Sequence, residues 1–264
     1  MKNTYLKKKN NGLKSSFFAA LKSVGVTMIL LLAMACGDSD CEYDTYDPCG
    51  GSATRPMVDL IILIDTSGSM GAFATQVSNE AQAGIDAALA DCDSDLRVMY
   101  LGVDGTFNST NFTTSHRDYL NALPGAPFPL AADLPPSGFL GEQGANAVED
   151  LSNYFDWRDG ACRSIFYISD EELDGSSPRG DTANEDLSTA NAILGAQSNS
   201  VTVFSNYLTY QGLGASILQN YSDLTTQTGG LLFATNSFPL PANYYVDNNV
   251  FGDIVCNACN GCTN

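Results

Sequence analysis

Acidic and hydroxyl side chains follow two strongly apolar segments of this 264-residue chain. The segment 58–64 (VDLIILI) runs directly into DTSGS at 65–69, and the segment 163–169 (RSIFYIS) runs into Asp170. Carboxylate and hydroxyl oxygens are the ligands that Mg²⁺ and Ca²⁺ take from proteins. These segments therefore predict a divalent-cation site. The predicted ligands are Asp65, Ser67, Ser69 and Asp170.

The predicted ligands differ in charge, and the difference decides what the ion can do. The two aspartates balance a divalent ion (+2 − 2 = 0), whereas the serine hydroxyls are neutral. An ion held largely by neutral oxygens stays electrophilic and accepts a carboxylate from a partner as its last ligand. We predict Mg²⁺, with Mn²⁺ or Ca²⁺ as alternatives, because Mg²⁺ takes oxygen ligands and usually keeps several waters. The simpler alternative is that these residues only cap the helix that follows.

Apolar runs alternate with amphipathic segments along the chain, and this alternation predicts the elements that position the ligands. Predicted strands span 58–64, 96–103, 163–169, 201–207 and 231–234. Predicted helices span about 70–90, 145–154, 184–195 and 213–219, the last extending to 228. We therefore predict one α/β domain with a doubly wound, mostly parallel sheet flanked by helices. Ligands of such sheets bind at the carboxyl ends of the strands, where Asp65, Asp104 and Asp170 lie.

The motif DTSGS resembles the Asp-x-Ser-x-Ser motif of von Willebrand factor type A (VWA) domains. The resemblance continues in ISDEE at 168–172 and in the segment 221–230, which precedes the last predicted strand, and it covers about 58–250. It implies a metal-ion-dependent adhesion site, which binds acidic groups of protein ligands. The chain also resembles bacterial surface VWA lipoproteins.

One departure from the VWA pattern concerns the middle loop, where such domains supply a threonine. Glu142 occupies that place, ahead of the predicted helix, although Thr113 and Thr114 are alternatives. Adding Glu142 to the ligands leaves a net charge of −1 (+2 − 3). We hypothesise that it holds the metal more firmly and lowers the affinity for an external carboxylate. Glu171 and Glu172 could add to this charge, but loop acids are usually solvated.

The first 35 residues have the pattern of an export signal. All six lysines lie in the first 22 residues, and the apolar run 24–35 is shorter than the roughly 20 residues of a membrane span. Ala33-Met34-Ala35 predicts cleavage before Cys36. The surrounding sequence resembles a bacterial lipobox, although Leu32 lies four residues before the cysteine rather than three. We predict lipidation of Cys36, with ordinary secretory cleavage as the alternative.

The predicted organisation after the signal peptide has three parts. Residues 36–57 form a polar tether, 58–255 form the VWA domain with a Pro-rich insertion at about 105–140, and 256–264 form a Cys-rich C-terminal tail. Export makes disulfides the expected state of the eight cysteines, with connectivity left open. A zinc site at Cys256, Cys259 and Cys262 is the weaker alternative, because no histidine lies nearby.

Charge and motif content exclude several functions. From Cys36 onward the chain has six arginines and 30 acids, a net charge of −24 (6 − 30), which excludes nucleic-acid binding. The single histidine, His116, lies in a polar loop and is expected to be exposed. No Gly-x-Ser-x-Gly or phosphate-binding loop accompanies it. We therefore predict that the protein is not an enzyme.

These features predict an exported protein of the bacterial envelope whose only attachment to the membrane is the lipid anchor. It would mediate adhesive or protein–protein interactions through a protein ligand with an acidic side chain. Three alternatives remain: a structural module whose metal only stabilises the fold, a metal-dependent hydrolase, and a soluble secreted or periplasmic form.

Overall fold

Five parallel strands form a single sheet in the computed structural model, in the order β2-β1-β3-β4-β5. The described residues are 55–131, 143–174, 182–208, 215–235 and 239–261. The strands are β1 (Met57–Ile64), β2 (Asp95–Gly102), β3 (Cys162–Ser169), β4 (Val201–Leu208) and β5 (Leu232–Thr235). Residues 46–264 form one compact unit. The predicted fold class is confirmed.

Seven helices within the described residues flank the sheet. They are α1 (Gly71–Asp91), α2 (His116–Ala122), α3 (Gly144–Tyr154), α4 (Thr182–Ser198), α5 (Ala215–Gln227), α6 (Tyr244–Asp247) and α7 (Val250–Gly261). A short 3₁₀ turn, Gly68–Met70, precedes α1.

The central strands are apolar along their whole length because both faces of the sheet are covered. Alternate residues of β1 enter two separate cores. Ile62 packs with Phe73 of α1 and Phe251 of α7 on one face. Ile61 packs on the other face with residues of α3, α4 and α5, among them Leu151. This division places helices on both sides of the sheet, as a doubly wound fold requires.

The C-terminal segment differs from the prediction. Residues 256–261 continue α7 rather than forming a tail, and Ala258 is buried. Cys256 forms a disulfide with Cys92, at the end of α1. Cys162 is also disulfide-bonded. The apolar spacing of α7 escaped the sequence reasoning because the closely spaced cysteines dominate that segment.

The Pro-rich insertion contains structure that the sequence did not predict. Helix α2 lies within it, and its N-cap residue Ser115 accepts a hydrogen bond from the Asp118 N–H at 3.1 Å. His116, the first residue of α2, is fully buried, so the expectation of an exposed histidine is wrong. Part of the insertion, 132–140, lies outside the described residues.

A buried acid at the amino end of the sheet has a purely structural role. Asp59 is 1% exposed and accepts hydrogen bonds from the Arg97 and Arg158 side chains at 2.7–3.0 Å. Burial alone would raise the pKa of Asp59, but the two arginines outweigh this effect and lower it.

The predicted signal peptide, Cys36 and the predicted tether up to residue 54 lie outside the described residues. None of the helices in the described ranges combines the length and the apolar character that crossing a bilayer requires.

Candidate metal centre

The carboxyl ends of β1 and β3 bring the predicted ligands together. The two strands are neighbours, with Ile64 paired to Ile168, so the residues that follow them share one edge of the sheet. The Asp65 N–H donates to the Ile168 carbonyl at 3.0 Å and extends this pairing by one residue. As a result, the 65–69 loop lies against Asp170, although about a hundred residues separate them in sequence.

Three of the four predicted ligands form a continuous chain of oxygens. The Ser67 and Ser69 hydroxyl oxygens are 2.9 Å apart, and the Ser69 hydroxyl donates to Asp170 Oδ1 at 3.0 Å. Neighbouring ligands of an octahedral Mg²⁺ ion, each about 2.1 Å from the metal, are roughly 3.0 Å apart. The observed spacing therefore fits adjacent positions around one such ion, and all three atoms are oxygens of the kind that Mg²⁺ prefers.

The fourth predicted ligand, Asp65, is fully buried and accepts hydrogen bonds at both carboxylate oxygens. Oδ1 accepts the Ser67 N–H at 2.7 Å, and Oδ2 accepts the Ser169 hydroxyl at 2.7 Å. The Ser169 oxygen in turn accepts the Glu171 N–H at 2.9 Å. Hydrogen bonds of this kind orient metal-binding carboxylates. Sequence reasoning missed Ser169, and its position directly before Asp170 was the one available signal.

Thr66 attaches the loop to the end of β2. Its hydroxyl donates to the Val103 carbonyl at 2.6 Å. Gly105 allows this contact, because a Cβ there would lie 2.5 Å from the Thr66 hydroxyl oxygen. Asp104, the strand-end acid of β2, turns to a different partner and accepts a hydrogen bond from Arg117 at 2.5 Å.

Glu142 lies outside the described residues, so its role as a ligand stays a prediction. The structure begins again at Gln143, the N-cap residue of α3. Of the alternative threonines, Thr113 is exposed, and the carbonyl of Thr114 accepts the Gly102 N–H at 3.0 Å. Within the described residues, neither threonine hydrogen-bonds to the four predicted ligands.

The acids after Asp170 are not simply solvated. Glu171 is half-buried. Glu172 is only 3% exposed, which contradicts the expectation that it is solvated. Glu172 lies with Asp174 and Glu185, and one carboxylate oxygen of each is within 4.8 Å of the others. Sequence reasoning missed Asp174 and Glu185, because nothing in their spacing indicates that they meet.

Burial perturbs the titration of the groups around this cluster. Burial raises the pKa of Glu185 to about 8, the Leu173 N–H opposes the shift, and Asp174 adds to it. Burial likewise raises the pKa of Tyr207 to about 12, with further contributions from Asp170, Glu172 and Glu185.

His116 belongs to a separate buried group. Its Nδ1 accepts the Asp104 N–H at 3.2 Å, and its Nε2 lies 3.9 Å from carboxylate oxygens of Asp104 and Asp150. Burial lowers the pKa of His116 to about 4 and raises that of Asp150 to about 7. The histidine is therefore neutral near pH 7 and packs into the fold between α2 and α3.

The parallel sheet, with its loop of serines and aspartates at the carboxyl edge, gives this chain a VWA-like fold. No protein-family model matches the sequence, and no curated protein matches it either.

Three solved structures are similar to this chain in fold. An aerotolerance-related membrane protein from Bacteroides fragilis NCTC 9343, with multiple mutations to serines, shares 16% identity and a TM-score of 0.39, covering 75% of this chain and 98% of that one. The conserved hypothetical protein BatB from Bacteroides thetaiotaomicron shares 18% identity and a TM-score of 0.38. That match covers 73% of this chain and 97% of BatB. The D319A mutant of the PilB minor pilin from Streptococcus sanguinis shares 8% identity and a TM-score of 0.46, and the match spans 79% of this chain but only 64% of the pilin.

Proposed function

We propose that this protein is an exported, lipid-anchored VWA domain that binds a divalent cation and mediates adhesive or protein–protein interactions at the bacterial envelope. The cation site comprises Asp65, Ser67, Ser69 and Asp170. The observation that carries the proposal is the run of hydroxyl and carboxylate oxygens from Ser67 through Ser69 to Asp170, spaced 2.9 and 3.0 Å apart.

The bound ion would offer an open coordination position to a carboxylate of a protein partner. The protein surface itself disfavours an acidic partner, because the chain from Cys36 onward carries −24 (6 − 30). A carboxylate is therefore attracted only where the cation lies, which would restrict binding to this edge of the sheet.

Glu142 remains a proposed additional ligand that tunes this affinity. Titration of Mg²⁺ into the wild type and Glu142→Ala, followed by calorimetry, tests its role. We expect weaker Mg²⁺ binding in the variant, because one of three negative charges is lost. Unchanged affinity would remove Glu142 from the site.

We propose binding rather than catalysis at this site. The one histidine, His116, is buried. It accepts the Asp104 N–H and lies 3.9 Å from an Asp150 carboxylate oxygen, so it does not supply a base at the predicted cation ligands. A substrate panel with Asp65→Ala as the control tests this part, and metal-dependent turnover lost in that variant would contradict it.

The proposed export is supported by the Cys92–Cys256 disulfide, since such bonds persist mainly in oxidising compartments. Lipidation at Cys36 is testable by expressing the full chain in a bacterium, separating the membrane and soluble fractions, and measuring the N-terminal mass. We expect Cys36→Ser to release the protein from the membrane, whereas Cys41→Ser, a nearby control, should stay attached. Membrane retention of Cys36→Ser would contradict the anchor.

The adhesive function is tested with immobilised protein and an extract of envelope proteins. We expect retention of a partner in Mg²⁺, and its loss both in EDTA and in the Ser67→Ala/Ser69→Ala variant, with circular dichroism unchanged. Ser198→Ala, an exposed serine at the end of α4, is the matched control. If EDTA lowers the thermal stability but leaves retention unchanged, the metal is structural and the adhesive proposal fails.

A further inference from the structure

Three buried carboxylates form a second group of oxygen donors that is distinct from the four predicted ligands. Glu172 and Asp174 follow β3, and Glu185 lies in the first turn of α4. Their exposed fractions are 3%, 3% and 4%. Each offers one oxygen that lies within 4.8 Å of the other two.

The backbone fixes the geometry of this cluster. Glu185 Oε1 accepts the Leu173 N–H at 3.1 Å, and Oε2 accepts the Asp174 N–H at 3.3 Å. The Leu173 carbonyl accepts the Ala145 N–H of α3 at 2.8 Å, which ties the same turn to a second helix. Carboxylates that bind metals are typically oriented by such additional hydrogen bonds. The fold therefore presets the positions of these acids.

A tyrosine provides an independent observation that points to a ligand. Tyr207 lies at the carboxyl end of β4, next to Ser169 in the sheet, and is 1% exposed. Its hydroxyl makes no hydrogen bond to any part of the chain that the structure describes. The Tyr207 ring stacks on Tyr221, whose hydroxyl donates to the Glu171 carbonyl at 2.8 Å, and both rings share one core with Leu173, the residue between Glu172 and Asp174.

A buried hydroxyl ordinarily has a partner, because leaving it unpaired costs the full desolvation of the group. A cation between the carboxylates, or a water molecule that the cation carries, would supply this partner for Tyr207.

We propose that Glu172, Asp174 and Glu185 form a second divalent-cation site, with the Tyr207 hydroxyl facing the ion, and that the ion is Ca²⁺. Calcium takes six to eight oxygens at 2.3–2.6 Å, so oxygens on opposite sides of one ion are roughly 5 Å apart. Carboxylate oxygens within 4.8 Å of one another fit this range. Three carboxylates exceed the charge of the ion, so this site differs from the serine-containing one and leaves the ion little affinity for an outside acid.

The test is calorimetric titration of Ca²⁺ into the full chain carrying Ser67→Ala/Ser69→Ala, which disables the first site. We expect one bound Ca²⁺. Adding Glu185→Gln should weaken this binding by at least about 100-fold, because it removes a charged ligand rather than an outer hydrogen bond. Asp186→Asn, an exposed acid on the same helix, is the matched control and should bind as the parent does.

Glutamine keeps an oxygen that can accept a backbone N–H, so the fold of Glu185→Gln is expected to persist. Circular dichroism checks this, and Asp174→Asn is the second variant if the first fails to fold. The proposal is overturned if the serine variant binds no Ca²⁺, which would mean that a proton or another group of the chain neutralises the acids. It is also overturned if both acid variants bind Ca²⁺ as the parent does. Because the first site is absent in this background, neither result depends on the proposed adhesive function.

Discussion

Replacing both loop serines with alanine should abolish the stabilisation of the protein by Mg²⁺. A ligand that binds only the folded state adds about 2.7 kcal/mol to the unfolding free energy at a hundredfold excess over its Kd. For a domain of about 200 residues, each kcal/mol raises the midpoint of thermal unfolding by about 2–4 °C. The wild type should therefore gain roughly 5–11 °C in saturating Mg²⁺, and Ser67→Ala/Ser69→Ala should gain almost nothing.

The metal-free proteins should differ only by the hydrogen bonds that the two serines make. The variant loses the Ser67–Ser69 and Ser69–Asp170 hydrogen bonds, in which the serines are half-buried and Asp170 is buried. Hydrogen bonds of this kind contribute about 0.5–1.5 kcal/mol each, so the loss of two of them in EDTA should be about 1–3 kcal/mol. Scanning calorimetry in Mg²⁺ and in EDTA separates the two effects, with Ser198→Ala as the control. A variant that keeps the full Mg²⁺-induced shift would refute the assignment of these hydroxyls as ligands.

Three further predictions concern the scaffold. Asp59→Asn should lower the unfolding free energy by about 2–3 kcal/mol, less than for a fully buried ion pair because its two arginines are partly exposed. Since the folded-state pKa of Asp59 lies below 3.8, its contribution is present above that pH and lost in acid, so urea titrations should show a shallower acid limb for the variant. Gly144→Ala should lower the thermal midpoint, because the added Cβ overlaps the Tyr167 hydroxyl, at a cost of about 1–3 kcal/mol; an unchanged midpoint would contradict this. Cys92→Ser/Cys256→Ser opens a loop with a sequence separation of 164 and should cost about 4–5 kcal/mol in chemical denaturation; reductant should have little further effect through this bond.

The sheet was predictable from sequence because its strands are buried on both faces. A run such as 58–64 leaves little choice of structure, and the acid at its end marks the carboxyl edge where ligands bind. The proximity of the predicted ligands could be foreseen for a related reason. The DTSGS motif and Asp170 both follow such runs, and Ile64 and Ile168 pair in neighbouring strands.

The burial of polar side chains was not predictable, because it depends on partners that are distant in sequence. His116 is buried because its Nδ1 accepts the N–H of Asp104. The loop after β2 holds Asp104 at a φ of 55°. Glu80 is buried on α1 because the Tyr245 N–H donates to it across a separation of 165 residues. A pattern of local hydrophobicity contains neither relation, so the burial of these two residues could not be predicted from it.

The segment after β3 connects the two groups of oxygen donors. Asp170 accepts the Ser69 hydroxyl on one side, while Glu172 and Asp174, two and four residues further, lie with Glu185 on the other. A displacement of this short segment therefore changes both groups together. If both proposed ions prefer the segment in this position, each raises the affinity of the chain for the other by the same factor, because binding linkage is reciprocal.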